Sequence, residues 1–442
     1  MSVEGTVRCT RPPAFRGAMA ESDLVRASCA VAEEYLANFR IVILNGPRQA
    51  GKTTMLRHLH RRHGGTSFNL DDEQLLQAAI EDPIGFAGTG PEPRLIDEVQ
   101  RAGDPLIRAI KAEVDAESGP GRYVLAGSTR FLATPSLSES LAGRGVVVDV
   151  WPFSQGEFEG RFERFIDVAF DEPGRLLDLG PANVDRADYF ARICRGGFPE
   201  PALLGSLRAR KAWFRAYVQA IAERDIREMS RVNEPSAMTA LLAYLASITA
   251  QEHNSVNTST RTGLHRTTVN KYVELLEAVF LVHRLPAWSR NLTSRAVKHA
   301  KLHLTDTGLA ASLLGVSPES LAKPVAPTRG PLVETFIVNE LAKQATWSEA
   351  EVRLHHWRVS GGAEVDVVLE RDDGQVVGVE SKARDTVTAA DFRGLAQLRD
   401  LLGDQFTQGI VLHTGNQGAI SFGDRLMALP LASLWQAGHD PA

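Results

Sequence analysis

The sequence predicts a multidomain α/β chain, and three observations carry that expectation. At 442 residues it is longer than one ordinary domain, so about two to four folded units are expected. Near the start, Arg40-Ile41-Val42-Ile43-Leu44 is a short β-branched run ending at Asn45-Gly46, the pattern of a buried parallel strand running into a turn. Near the end, Glu364–Glu370 and Val376–Lys382 are two strand-like runs separated by Asp372-Asp373-Gly374, the form of a β-hairpin.

Taken in chain order, residues 1–20 read as a disordered leader, and Met19 could serve as the start. Residues 21–36 read as a helix carrying Leu24, Val25, Val31 and Leu36. Strand and helix patterns then alternate to about residue 155, which suggests a three-layer α/β unit over 21–182. Residues 183–250 are helical in pattern, interrupted by Gly196-Gly197-Phe198-Pro199. A small helical unit of DNA-binding type follows over 251–315, then a Pro- and Ser-containing linker over 316–331, then a last α/β unit over 332–442.

Composition narrows the partners. With 43% hydrophobic and 23% charged residues the chain has ordinary globular composition. No apolar run approaches the roughly 18 residues that suggest a spanning helix, so no membrane partner is expected. Cys9, Cys29 and Cys194 are far apart and lack metal-ligand spacing, which fits a reducing cytosol and a cytoplasmic location. A net charge of −5 excludes an overall attraction to nucleic acid, so any such contact needs a local patch.

The most informative stretch is Gly46-Pro47-Arg48-Gln49-Ala50-Gly51-Lys52-Thr53. It follows a strand pattern, and Thr53-Thr54-Met55-Leu56 continues it as a helix. Glycines in such a loop let successive N–H groups converge on phosphate oxygens at a positive helix end. Lys52 would reach the β- and γ-phosphates and the Thr53 hydroxyl would ligate magnesium, so ATP with Mg2+ is the expected cofactor. Leu95-Ile96-Asp97-Glu98 supplies the acidic partner: Asp97 would hold magnesium through water and Glu98 would polarise the attacking water. The same pair would also suit the first turn of a helix. A third strand, Tyr123–Gly127, ends in Ser128, placed to sense a γ-phosphate. Arg144 is either an arginine finger acting across a subunit boundary, which implies a homo-oligomer, or a surface arginine before Val146-Val147-Val148.

Together with Leu141–Arg144 and Trp151-Pro152-Phe153-Ser154, these motifs resemble the AAA+ module of a large family of bacterial and archaeal ATPases. The resemblance continues through Gly196–Glu200, Glu223-Arg224-Asp225, Lys301–Leu309 and the C-terminal third. It implies a helical, winged-helix middle region and a C-terminal domain of unknown function resembling the restriction-endonuclease, PD-(D/E)XK, fold. The motifs at Gly196–Glu200 and Asp306 mark the family without suggesting any chemistry.

Thr258–Tyr272 reads as helix, Gly turn, helix, the form of a helix-turn-helix. Val269, Tyr272, Val273 and Leu276 recur at helical spacing, leaving Arg266, Thr267, Asn270 and Lys271 to reach phosphates and base edges. Lys and Arg at 261, 266, 271, 284, 290, 295, 298 and 301 against Glu274 and Glu277 give this segment a net +6. DNA contact is one reading, and a solvated face or a protein-contact lid is the other.

In the last unit the hairpin register decides the chemistry. A three-residue loop at 372–374, with Gly374 left-handed, pairs 371 with 375 and therefore sets Asp366 opposite Glu380. Glu364, Asp366, Glu380 and Lys382 then share one face and Val365, Val367, Leu369, Val377 and Val379 the other, with Ser381 also turned away from the charges. Converging carboxylates invite magnesium, and Lys382 can orient a water. Glu334, on the preceding helix, could add a third carboxylate, as in related junction resolvases. Cross-strand Glu–Lys pairs are also common on exposed hairpins.

The leading expectation is an ATP-driven protein that acts on or with DNA and carries a metal-dependent nuclease-like domain. The alternative is an ATP-dependent regulatory scaffold whose C-terminal domain binds protein or nucleic acid without cutting.

Overall fold

A computed structural model describes residues 26–128, 141, 143–226, 235–291, 299–359 and 362–438. The expected leader, residues 138–140 and 142, and Arg295 and Lys298 lie outside that set.

A strand that is apolar on both faces must be covered on both, and the N-terminal unit satisfies this with a parallel sheet between helices. Strands β1 (Ile41–Asn45), β2 (Thr66–Asn69), β3 (Arg94–Asp97), β4 (Tyr123–Gly127) and β5 (Gly145–Asp149) lie in the order β2-β3-β4-β1-β5. Their pairings are all parallel. Ile41 and Ile43 pack on one side with Leu125 and with Ile107 and Ile110 of helix α3 (Gly103–Ala116). Val42 and Leu44 pack on the other with Met55 and Leu59 of α2 (Lys52–His63) and Leu36 of α1 (Ala27–Asn38). Because β4 sits between β1 and β3, the turns that leave these three strands open at one edge of the sheet.

The middle of the chain is helical. Helix α4 (Arg186–Arg195) stops at Gly196, and α5 (Leu207–Ala220) runs into a π-helical turn, Ile221–Asp225. After β6 (Gln251–Glu252), α6 (Ser255–Thr262) ends at Gly263, whose φ of +73° turns the chain into α7 (Arg266–Ala278). Strands β7 (Val282–Leu285) and β8 (Lys301–Leu304) complete a small antiparallel sheet, β6-β8-β7.

Helix α8 (Arg329–Gln344) opens the last unit. Its sheet is β13-β14-β12-β11-β10-β9, made of β9 (Val352–Arg358), β10 (Glu364–Arg371), β11 (Val376–Lys382), β12 (Phe406–His413), β13 (Ile420–Ser421) and β14 (Leu426–Pro430). Helix α9 (Arg393–Leu402) covers the face opposite α8. The hairpin register is the expected one. Gly374 has φ +84°, the Arg371 N–H donates to the Gln375 carbonyl at 2.9 Å, and Val367 and Leu369 pair with Val379 and Val377. A one-residue slip would turn those four side chains from the α8 face to the α9 face and disrupt the packing of both.

Two details of the hairpin differ from expectation. The β9–β10 register shifts between Val365 and Val368, so Val365 packs with Val368 and Val376 on the α9 side, away from Val367. A bulge adds a residue and so breaks strict alternation. Ser381 is not turned away from the charges: its N–H and hydroxyl both donate to Asp366, at 2.9 and 2.7 Å.

The expected unit boundaries are not breaks in packing. Phe165, Phe170 and Leu176 share one core with Leu245, Leu276, Val338 and Trp435. Within the expected linker Leu321 is buried, and α8 already begins at Arg329. The two motifs without evident chemistry, at Gly196–Glu200 and Asp306, meet the Trp151–Ser154 segment at this junction. Asp306, 2% exposed, accepts from the Gly197 N–H at 2.6 Å and the Leu309 N–H at 2.8 Å. The Phe153 N–H donates to the Gly197 carbonyl at 2.8 Å. A Cβ on Gly308 would stand 2.6 Å from the Arg195 carbonyl oxygen. Backbone cannot yield there cheaply, so Gly308→Ala should lower stability by about 1–3 kcal/mol. A urea midpoint equal to wild type would contradict this interlock.

Candidate functional site

The loop after β1 is shaped for close approach. Gly46 admits no side chain, since a Cβ would lie 2.1 Å from the Val150 carbonyl oxygen. Gln49 and Gly51 have φ of +61° and +101°, which turn the loop into α2. Lys52 is 5% exposed, and its ammonium donates to the carbonyls of Gly46 and Pro47 at 2.9 and 2.8 Å. Arg48, Ala50 and Thr54 complete the turn and the start of α2.

Across the edge of the sheet, the Thr53 hydroxyl donates to Asp97 at 2.6 Å. Burial raises the Asp97 pKa above its usual range, against the Thr53 hydrogen bond that lowers it. A desolvated carboxylate facing a hydroxyl and a buried ammonium fits a magnesium-bound phosphate, which would supply the missing positive charge. Glu98 takes a left-handed backbone, φ +50°. Its carboxylate accepts from the Ser128 hydroxyl at 3.2 Å and from the Gln100 amide, which also donates to Ser128 at 3.2 Å. The structure thus brings Lys52, Thr53, Asp97, Glu98 and Ser128 together. Gln100 lies in the stretch that resembles the ATPase family, but its residue type suggests no role until the fold puts its amide on Glu98 and Ser128.

Arg144 is not with them. It precedes β5, whose Gly145 aligns with Ile41 at the start of β1, whereas the loop follows Asn45. That puts Arg144 at the opposite edge of the sheet, about 13 Å away along the strand. It pairs with Asp115 near the end of α3, at 2.5 and 3.0 Å, and this contact lowers the Asp115 pKa. Within one chain it is a structural pair, and a finger role would have to act on a neighbouring copy.

On α7, Arg266, Thr267, Asn270 and Lys271 are exposed, and Val269, Tyr272, Val273 and Leu276 are buried, as the periodicity requires. The Arg266 guanidinium donates to the Ser255 hydroxyl at 3.1 Å. The basic face is smaller than the sequence suggests: Arg284 pairs with Glu277 at 2.9 Å, and Lys301 turns inward, 3% exposed.

Lys301 is the residue that sequence reasoning misplaced. Asp366, Glu380, Glu334 and Glu364 do line one cavity, of about 440 Å³, with Glu252 and Arg358. The Lys301 ammonium stands among them, 2.7 Å from Glu334, 2.6 Å from Glu364 and 3.4 Å from Asp366. It supplies the charge expected of magnesium. Among the described residues, no group of three or more His, Cys, Asp or Glu side chains is disposed to hold a metal ion. Burial opposes the Lys301 charge, but Asp366 and Glu334 outweigh it and hold its pKa above the ordinary range. Burial, then Asp366, push Glu334 well up and Glu380 to about 8. Lys382 donates to one Glu380 oxygen at 2.6 Å, and the other is buried without a hydrogen-bond partner. Only the tertiary fold brings β8 beside α8 and β10.

Residues 38–159 match a family model described as an AAA domain. Residues 186–320 and 329–434 match two domains of unknown function, DUF8612 and DUF4143. An uncharacterized protein of Mycobacterium tuberculosis is 28% identical over 393 residues, covering 85% of this chain and 80% of that protein. One of Methanocaldococcus jannaschii is 22% identical over 283 residues, covering 60% of each. A Walker-type ATPase of Pyrococcus abyssi aligns with a TM-score of 0.38 and 15% identity, covering 68% of this chain and 99% of that one. DnaA of Aquifex aeolicus with bound AMPPCP gives 0.28 and 15%, covering 56% and 86%. At those scores the likeness is partial, and the AAA-domain match is what supports ATP binding and hydrolysis. No helix among the described residues is long and apolar enough to cross a membrane.

The cavity makes stability depend on pH. Glu380 keeps a proton in the fold up to about pH 8, whereas in the unfolded chain it releases it near 4.5. Its stabilising effect is therefore full below the lower value and lost as pH rises through the upper one. Glu380→Gln, fixed in the neutral state, should flatten the fall of the urea midpoint between pH 5 and 8. Identical slopes for the two proteins would contradict the buried, protonated carboxyl.

Proposed function

We propose that this chain is a magnesium-dependent ATPase whose nucleotide state is passed to the units packed against it. The observation that carries the reading is the 2.6 Å contact between Thr53 and Asp97, made across β1, β4 and β3. Lys52 and the loop N–H groups would bind the phosphates, and Thr53 with Asp97 would hold the metal, directly and through water. The metal would screen phosphate charge. Glu98 would orient and deprotonate the attacking water, and Ser128 with Gln100 would align Glu98 and respond to the γ-phosphate. Arg144 would act only from an adjoining subunit of a homo-oligomer.

The middle unit reads as a winged helix that contacts DNA through Arg266, Thr267, Asn270 and Lys271. All four being exposed on one helix supports this. For the last unit, the PD-(D/E)XK resemblance suggests a nuclease using Asp366, Glu380 and Lys382, with Glu334 as a further metal ligand. The Lys301 ammonium within 3.4 Å of three carboxylates favours the other reading, a domain that binds its partner without cutting.

Lys52→Ala should abolish tight ATP binding in titration calorimetry. Glu98→Gln should bind ATP normally but release phosphate about 10²–10⁴ times more slowly. Wild-type turnover in Lys52→Ala would end the ATPase assignment. On duplex DNA, replacing Arg266 and Lys271 with Ala should flatten the slope of log affinity against log salt by about one to two units. An unaltered slope would remove α7 from the DNA contact. With magnesium or manganese, linear, circular and branched DNA should all stay intact, and cleavage lost in Asp366→Ala would restore the nuclease reading.

A further inference from the structure

A loop that binds phosphate through its N–H groups must keep its carbonyls turned away, because the two ends of a peptide group point in opposite directions. Five of the six carbonyls from Gly46 to Gly51 are held. Those of Gly46 and Pro47 accept from Lys52, and that of Gly51 accepts from the Met55 N–H at 3.0 Å. The remaining two donors come from outside the motif. The Tyr217 hydroxyl on α5 donates to the Arg48 carbonyl at 3.1 Å, and the Arg26 guanidinium, just before α1, donates to the Ala50 carbonyl.

We propose that Arg26 and Tyr217 are positioning residues of the nucleotide site, fixing the Ala50 and Arg48 carbonyls so that the Gly51 and Gln49 N–H groups face the phosphates. The inference rests on the ATPase reading. Lys52 cannot hold Gly46 and Pro47 and also reach a phosphate, so once it turns to the nucleotide these two outer ties act with the Ala50-to-Pro47 and Met55-to-Gly51 backbone bonds to keep the loop in shape.

Both ties are themselves anchored. Arg26 is 6% exposed, donates to the Trp151 carbonyl at 2.8 Å and to Glu157 at 3.4 Å, and lies 4.0 Å from the centre of the Phe153 ring. Glu157 also accepts from the Ala27 N–H at 2.9 Å. The next turn of that segment is bound to α8, since the Gln155 N–H donates to Glu340 at 2.8 Å and Lys343 donates to the Phe153 carbonyl at 3.0 Å. Tyr217 stacks on Trp213 with ring centres 5.0 Å apart and planes 11° from parallel. The loop is thus held from the helical unit through one carbonyl and from the α8 side through another.

The test uses the full chain, with magnesium-ATP affinity measured by calorimetry, kcat and KM by phosphate release, and thermal midpoints in parallel. Tyr217→Phe removes one hydroxyl and should weaken binding about three- to tenfold, the effect of one neutral hydrogen bond. Arg26→Ala should weaken it by about tenfold or more, with KM rising further than kcat falls, and Arg26→Lys should recover part of that loss. Wild-type affinity in both Tyr217→Phe and Arg26→Lys overturns the inference, as does a loss that only tracks a lower thermal midpoint. If Arg26→Ala does not fold, the two conservative variants decide. Lys52→Ala separates the two claims: lost binding there with unaltered Tyr217→Phe and Arg26→Lys sinks the positioning roles alone. A wild-type chain that binds no ATP removes the ATPase reading and the inference with it.

Discussion

The arrangement of the units depends on one buried carboxylate. Asp306 accepts from the N–H of Gly197 after α4 and from the N–H of Leu309 in the helix it caps. Burial raises its pKa, and the backbone N–H groups of Gly197 and Leu309 offset that cost. Gly197 in turn accepts from Phe153, on the segment that leaves β5. One side chain therefore fixes the exit of the nucleotide unit, the turn after α4 and the start of the helix after β8. Gly197 and Gly308 have no room for a side chain because backbone passes against them, and Gly196 because the Asp306 carboxylate does.

Helix α8 extends the same constraint. Its Glu334 reaches Lys301 in the carboxylate cavity, its Asn339 donates to the Leu304 and Thr305 carbonyls, and its Glu340 and Lys343 bind the turn at Phe153–Gln155. About two and a half helical turns separate the first of these from the last. A displacement of the turn at 153–157 therefore acts on a helix whose other end carries a ligand of Lys301. Apolar packing makes the helix stiff, since Leu332, Val333, Phe336, Ile337 and Leu341 lie in the large shared core.

Charge is handled differently at the two sites. At the nucleotide loop a buried ammonium rests on carbonyls, and a desolvated Asp97 faces a hydroxyl, so positive charge is short where magnesium would bring it. In the C-terminal cavity the shortage is already met by Lys301, because isolated buried carboxylates are far costlier than paired ones. The two sites sharing carboxylate-rich chemistry thus differ in whether the cation is built into the chain.

By itself the sequence determined the local features: the strand and Gly-rich loop at 41–53, the acidic pair at 97–98, the helix-turn-helix and the hairpin register. Each is set by neighbours within a few residues, through glycine conformations, apolar periodicity or loop length. The tertiary structure decided what depends on contacts distant in sequence. It put Lys301 among Glu334, Glu364 and Asp366, and Arg144 on Asp115 at the far edge of the sheet. It brought Arg26 and Tyr217 to the carbonyls of a loop that neither adjoins in sequence. A bulge moved Val365 to the other core, which alternation alone could not reveal. Periodicity tells which side of a strand or helix is buried, whereas the partner that buries it is chosen by packing of the whole chain.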